Sequence, residues 1–362
     1  MQSHYLRPQK LNKRLQDFKL QFPDIYKMLI ESDKEMIMYK RNEHAYRRYT
    51  EKRSVRKMRR CIPPNFPLEI SYLCKARSFM SGDFAYTTNI INNRFFGWMG
   101  DSISHGTGSN IVKNYVNRSI LYVLKKHRDH PDISFQTLIK ESQQRFFSTY
   151  NVKKILKENL SDIIPRNDYQ AKMSILIPIF FFQIREINQK LFFKFSNRGM
   201  PYCLIFKCNS DRNRITQVIL YTKTESLDAR TQLPAVVKNI DHSGFPFVLD
   251  KNIYDFYTSD GRNEYSFPVI EQELAPGDII AIPSDGVTEA QNKDGQEYGI
   301  HRFIKDFVEI LEEQNMWKLN LTFIKEHYYN DKLRQYAIWD ERYSLTGNGI
   351  EDDMGLLLIR VK

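Results

Sequence analysis

The sequence predicts an α+β fold of layered sheets and helices, and three observations predict it. Short apolar segments of strand length recur along the chain, many bounded by Gly, Pro, Asn or Asp, the residues that turns use. Two stretches carry the apolar period of a buried helical face. The order is several strands, a helix, more strands and a second helix, where a parallel sheet would show regular strand–helix alternation.

The first element is a helical arm over residues 26–58. It contains no Gly or Pro and is rich in Lys, Arg, Glu and Met, all good helix formers. Seven-residue spacing appears in pieces (Leu29/Met36, Ile30/Ile37, Tyr39/Tyr46) but does not hold through four heptads. The arm therefore reads as a helix that packs on a partner or on the body. The prolines of Ile62–Pro67 end it, because proline removes a backbone donor and disfavours helix in the residue before it. Leu68–Cys74 then alternates apolar and polar residues as a half-buried strand does. Further strands are expected at 94–99, 175–184, 191–195, 202–207, 217–221, 278–282 and 356–361. The two helices follow Ser109, with Ile111, Val112, Tyr115, Val116, Ile120, Val123 and Leu124, and Gly299, with Ile300, Phe303, Ile304, Phe307, Val308 and Leu311.

Composition excludes several classes. The chain has 362 residues, 41% hydrophobic and 13% aromatic, which is not the make-up of a disordered or collagen-like protein. Its longest apolar run, Ile175–Phe182, is far short of the roughly 20 residues of a spanning helix, so no integral membrane segment is expected. No apolar stretch follows the positive residues of the N-terminus, so no secretory signal is expected either. Cys61, Cys74, Cys203 and Cys208 form no CxxC pair and read as reduced thiols of a cytoplasmic protein.

The net charge of +11 is unevenly spread. Residues 1–60 hold 17 Lys+Arg against 7 Asp+Glu, a net of +10, and the body is almost neutral. The run from Arg47 to Arg60 is dense enough to attract phosphate groups or an acidic protein surface. A neutral body gives no support to a nucleic-acid interface. Neither GxGxxG nor GxxxxGK[ST] occurs, so dinucleotide and P-loop chemistry are not indicated.

The chemistry signal is a set of Asp residues beside Gly or Ser at strand ends: Asp83, Asp101, Asp285, and the pair Asp352–Asp353 before the last strand. One Asp-Gly is only a turn. The Ser-Asp-Gly of Tyr257–Glu264 and the Asp294-Gly295 pair are bland examples, with no long apolar strand feeding them. Several carboxylates at the ends of strands that pack together can instead converge, and an all-oxygen set suits Mg²⁺ or Mn²⁺ better than zinc.

In order, these segments resemble the metal-dependent protein phosphatase (PPM) family, specifically its bacterial SpoIIE/RsbU type, over residues 62–362. The residues that carry the resemblance are Ser81-Gly82-Asp83-Phe84, Gly100-Asp101-Ser102-Ile103-Ser104-His105-Gly106, Asn197-Arg198-Gly199-Met200-Pro201, Gly277-Asp278 leading to Ser284-Asp285-Gly286-Val287-Thr288-Glu289-Ala290, and Asp352-Asp353-Met354-Gly355. The resemblance implies two antiparallel sheets packed as a sandwich flanked by helices, preceded by a basic arm over residues 1–61. It implies Asp101 as the ligand bridging two Mn²⁺ or Mg²⁺ ions and the Ser102 carbonyl beside it. Asp83, Asp285 and Asp352 would be further ligands, with Asp353 as the substitute for Asp352. The implied reaction is hydrolysis of phosphoserine or phosphothreonine on a regulatory protein, such as an anti-sigma-factor antagonist, by a metal-activated water. His105 is a candidate general acid, with loop shaping or helix capping as its other reading. Ser81, Ser104, Met200 and Gly355 depart from the family pattern, and losing a Thr at 355 is expected to loosen the final loop. The arm is expected to contact a regulator or a second copy of the chain. The competing reading is a weak or inactive phosphatase scaffold that binds a phosphoprotein.

Overall fold

The computed structural model describes residues 58, 61–63, 65–75, 82–88, 94–102, 107–130, 133–149, 176–209, 214–222, 235–239, 247–248, 269–292, 294–313, 320–336 and 352–362. The arm up to residue 57, the loop 103–106 with His105, and the turn 257–264 lie outside these residues.

Two sheets form the body. One has six strands in the order β1 (Leu68–Lys75), β13 (Met354–Val361), β12 (Ile279–Pro283), β7 (Cys203–Asn209), β8 (Arg214–Thr222) and β9 (Ala235–Asn239). All its pairs are antiparallel except β8 with β9. The second sheet has five antiparallel strands in the order β11 (Ile270–Leu274), β6 (Lys190–Arg198), β5 (Ile179–Ile187), β3 (Arg94–Asp101) and β2 (Asp83–Thr87). The two-residue strands β4 (Leu176–Ile177) and β10 (Phe247–Val248) pair with each other. Asn188 and Gln189, both with positive φ, make the tight hairpin that joins β5 to β6.

The sandwich has the four layers the resemblance implies. Between the sheets, Ile70, Phe95, Phe180, Phe193, Ile205 and Leu357 bury a common apolar core. On the outer face of the six-stranded sheet, Phe206, Leu220 and Leu358 pack against Phe303, Phe307 and Leu311 of α4 (Gly299–Glu312). On the outer face of the other sheet, Trp98, Ile179 and Phe181 pack against Val116 and Ile120 of α1 (Thr107–Lys126) and Leu138 and Phe146 of α2 (Phe135–Thr149). Because both faces of each sheet are covered, strands such as β12 are apolar throughout instead of alternating. Met58 and Cys61 are buried in the inter-sheet core, so the chain is already anchored before β1 begins.

Several elements go beyond the sequence reading. The buried face of α2 is interrupted by Ser142 and Gln143, which breaks the apolar period that would reveal it. The chain after α4 forms α5 (Leu321–His327), a π-helical turn (Tyr328–Leu333) and a last short turn, α6 (Arg334–Tyr336). Asn320 caps α5, its side chain accepting the Phe323 N–H at 3.0 Å. Lys325 of α5 donates to the Tyr72 carbonyl, and Glu69 accepts the Leu321 N–H at 2.8 Å. These bonds pin the segment on β1. The four cysteines are free thiols. Among the described residues, no helix is long and apolar enough to cross a membrane.

Candidate active site

One end of the sandwich gathers the sequence-predicted carboxylates. Asp83 opens β2 and Asp101 closes β3, and the two are directly opposed in the antiparallel register. Like charges directly opposite each other destabilise a ladder, so this pairing needs a reason outside the sheet. Ser284 follows β12 and Asp285 starts the one-turn helix α3 (Asp285–Thr288). Asp352 and Asp353 lead into β13, the neighbour of β12. Ser284 locks that corner: its N–H donates to the Gly355 carbonyl and its Oγ accepts the Gly355 N–H, both at 2.8 Å.

The two sheets meet through Gly82, whose N–H donates to Asp353 Oδ2. Its carbonyl accepts both the N–H and the Oγ–H of Ser102 at 3.2 Å. A Cβ at Gly82 would lie 2.5 Å from the Ser102 carbonyl oxygen, 3.0 Å from Asp101 Oδ1 and 3.2 Å from Asp353 Oδ2. Three oxygens of the implied donor set thus converge on a position that tolerates no side chain. Gly286 is equally constrained, since a Cβ there would collide with the Asp353 carbonyl oxygen.

Gly355 leaves no room for a side chain. A Cβ there would stand 2.9 Å from Asp83 Oδ2 and 2.8 Å from Met99 Cε, so the space a threonine would fill is occupied. Both backbone groups of Gly355 are tied to Ser284.

The electrostatics are those of a site short of positive charge. Asp83 is 1% exposed, and neither of its carboxylate oxygens has a hydrogen-bond partner of normal geometry. Burial first, then the charges of Asp101, Asp353 and Asp285, push its pKa well above the usual carboxylate range, while the Ser284 hydroxyl eases it. Asp353 is buried and Asp352 exposed. The former belongs to the Asp83 side of the site. The latter lies with Asp285 and Glu297 around Glu289, whose pKa is raised by burial and by those three charges. Glu289 and Lys113 were not singled out from the sequence. Glu289 sits in the Ser284–Ala290 motif, and Lys113 is the one charged residue in the apolar stretch from Ile111 to Val116.

Other motif residues are placed elsewhere. Asn197 closes the β6–β7 turn, its Nδ2 donating to the Met200 carbonyl at 2.8 Å and its Oδ1 accepting the Met200 N–H at 3.0 Å. Gly199 takes φ +98° there, and Met200 is buried in the inter-sheet core. Gly277, at φ +91°, and Asp278 form a structural turn in which the Asp278 carboxylate accepts from Lys207 and from the N–H groups of Cys208 and Ala275.

The donor set is all oxygen, and a buried carboxylate without a partner, crowded by like charges, is an environment that a hard dication relieves. Asp83, Asp101, Asp285, Asp352 or Asp353, and the Ser102 carbonyl fit such ions in kind. Among the described residues, no three His, Cys, Asp or Glu side chains are already gathered closely enough to hold one.

Comparison with known proteins agrees with this architecture. Residues 260–362 match the family model described as Stage II sporulation protein E (SpoIIE). The SiaA-PP2C domain of Pseudomonas aeruginosa superposes with a TM-score of 0.50 at 12% identity, over 92% of this chain and 99% of that one. The RsbU and RsbW domains of Rv1364c from Mycobacterium tuberculosis give a TM-score of 0.49 at 12% identity, over 81% of this chain and 61% of theirs. The PP2C phosphatase domain and regulatory fragment of SpoIIE from Bacillus subtilis give 0.44 at 16% identity, over 82% and 64%. The chain thus spans less than two thirds of the last two. No curated protein sequence matches. At these identities the likeness speaks to the fold.

Proposed function

On the premise that this chain has the PP2C-type phosphatase fold, with residues 260–362 matching the SpoIIE family, we propose that it is a Mn²⁺- or Mg²⁺-dependent protein serine/threonine phosphatase. Its substrate would be a phosphoserine or phosphothreonine on a regulatory protein of the anti-sigma-factor-antagonist kind, and its products the free hydroxyl and phosphate. The observation that carries this reading is the buried Asp83 carboxylate, without a hydrogen-bond partner of normal geometry and pressed by Asp101, Asp353 and Asp285.

In this reading Asp101, Asp83, Asp285 and Asp352 would hold the divalent ions, together with the Ser102 carbonyl. Divalent ions, when bound, supply Lewis-acid chemistry: a lower pKa for water and charge compensation on phosphoryl oxygens. The chain's own residues prepare the place. The ladder opposing Asp83 to Asp101 fixes their separation, and Gly82 and Gly286 allow backbone oxygens to approach closely. Asp353, held by the Gly82 N–H, ties the two sheets together beneath the site. His105 is the candidate for protonating the serine oxygen as it leaves. The basic arm is assigned to contact with a regulator or a second copy. Deleting residues 1–50 keeps Met58 and Cys61 in place and tests that assignment: unchanged turnover and unchanged mass by light scattering would remove it.

The test of the activity is phosphate release from p-nitrophenyl phosphate and from a phosphoserine peptide, in Mn²⁺ and in EDTA, for the wild type, Asp101→Asn and Asp285→Asn. The reading expects metal-dependent release that falls by at least about a hundredfold in both variants. A folded wild type with neither release nor Mn²⁺ binding would leave the scaffold reading in its place.

A further inference from the structure

The lysine at 113 is not on a solvated face of its helix. On α1 it stands in one stripe with Val116, Asn117 and Ile120, at i, i+3, i+4 and i+7, and those three are all buried. The helix is pinned on this stripe by the Asn117 carbonyl oxygen, which accepts the Trp98 Nε1–H at 2.6 Å. Trp98 lies in β3, three residues before Asp101. Lys113, one turn nearer the helix start than Asn117, is thus carried toward the end of β3, where Asp101 and Asp83 sit. Burial lowers the Lys113 pKa, while the Cys74 thiol and the carboxyls of Asp353 and Asp83 lie near enough to act against that shift. Cys74 Sγ in turn lies 3.9 Å from the Asp83 carbonyl oxygen.

We propose that Lys113 is the built-in counter-cation of the acidic end of the sandwich, balancing Asp83 and Asp353 in the metal-free chain and thereby holding down its affinity for divalent ions. The first half stands on the placement of Lys113. The second rests on the metal-dependent reading above. The physical reason is common to both: buried carboxylates that repel one another require positive charge, and an ammonium buried near them repels an incoming dication through a medium that screens poorly. Lys113 is a positioning residue in this account, since it acts on substrate chemistry only through the carboxylates.

The test uses the full chain and two readouts that do not need turnover. Lys113→Met, Asp83→Asn and the double variant are melted in EDTA, with circular dichroism establishing that each is folded. Lys113→Met is expected to lower the melting temperature, and by at least twice as much in the wild-type background as in the Asp83→Asn background, because the charge it balances is absent there. Calorimetric titration with Mn²⁺ is expected to find Lys113→Met binding about tenfold more tightly than the wild type. Equal melting shifts in the two backgrounds would overturn the counter-cation. Equal or weaker Mn²⁺ binding by Lys113→Met would overturn its effect on metal affinity; if that came with weaker inhibition by inorganic phosphate, Lys113 would be a phosphate-binding group instead. A wild type that binds no Mn²⁺ at all would sink the metal-dependent reading, while the EDTA melts would still decide the role of Lys113.

Discussion

Asp83 and Asp278 are equally buried, each 1% exposed, yet their surroundings are opposite. Asp278 sits in the turn between β11 and β12, where Lys207 Nζ donates to its Oδ2, the Ala275 N–H to the same oxygen at 2.8 Å, and the Cys208 N–H to its Oδ1 at 3.2 Å. Its charge is fully answered by the protein. Asp83 is answered by no donor of normal geometry and is faced by three further carboxylates. A fold evolves saturated turns such as that of Asp278 for stability. A carboxylate buried at one end of two sheets without a donor of normal geometry is a cost that a ligand can recover, and this sets Asp83 apart from Asp278 where burial alone does not.

Substitutions that act differently on the two aspartates can break this comparison. Asp278→Ala leaves two backbone donors unanswered and Lys207 with the Glu273 carbonyl in place of a carboxylate, and is expected to cost about 3 kcal/mol. Denaturant melts should find that loss alike in EDTA and Mn²⁺; a loss that vanishes with Mn²⁺ would join Asp278 to the site. Next in size is Gly355→Ala, whose methyl must displace Asp83 or Met99 and is expected to cost about 2 kcal/mol, together with weaker Mn²⁺ binding by calorimetry. Wild-type Mn²⁺ affinity in this variant would mean that Asp83 is not held where ions bind. Asp83→Asn removes a buried, repelled charge, so in EDTA it is expected to leave stability unchanged or raise it by about 1 kcal/mol. A fall of several kcal/mol would show that Asp83 is a structural partner after all.

The smallest effect belongs to an ordinary surface pair far from the comparison. Burial, the largest single influence, raises the Glu141 pKa, but the hydrogen bonds and charges of Lys126 and His127 together outweigh it and hold the carboxyl below its usual value. A lowered folded-state pKa contributes stability above the unfolded value, lost as pH falls through the folded one. Glu141→Gln is therefore expected to cost about 0.5 kcal/mol at neutral pH, given its exposure, with the difference from wild type disappearing as the carboxyl becomes protonated in acid. A difference that persists there would assign the effect to packing of α2 on α1.

The legible part of the molecule is the part whose chemistry is local. The strand at Leu68 announces itself by apolar–polar alternation, those at Arg94, Leu191 and Leu356 by apolar runs, and α4 by a nearly unbroken apolar face. Asp83, Asp101 and Asp285 stand out because each adjoins a glycine or serine at a strand end. What the sequence hides is whatever depends on a distant partner. Nothing local distinguishes Asp353 from Asp352; the difference comes from Gly82, on the other sheet, whose N–H captures Asp353 Oδ2. Gly355 looks like a weakness in a motif until Asp83 is found filling the space beside it. Gly277-Asp278 reads as part of the catalytic motif but serves a saturated turn, because Lys207 reaches it from β7. Lys113 reads as one more basic residue until the helix is docked and its stripe faces inward. The α2 helix is obscured by Ser142 and Gln143 on its buried face.

The most direct test of the contrast between the two aspartates is calorimetric titration of Mn²⁺ into the wild type, Asp83→Asn and Asp278→Asn, each verified as folded. The account predicts that the wild type and Asp278→Asn take up Mn²⁺ with the same stoichiometry, and that Asp83→Asn loses at least one ion or binds at least about a hundredfold more weakly. Unchanged stoichiometry and affinity in Asp83→Asn would contradict it.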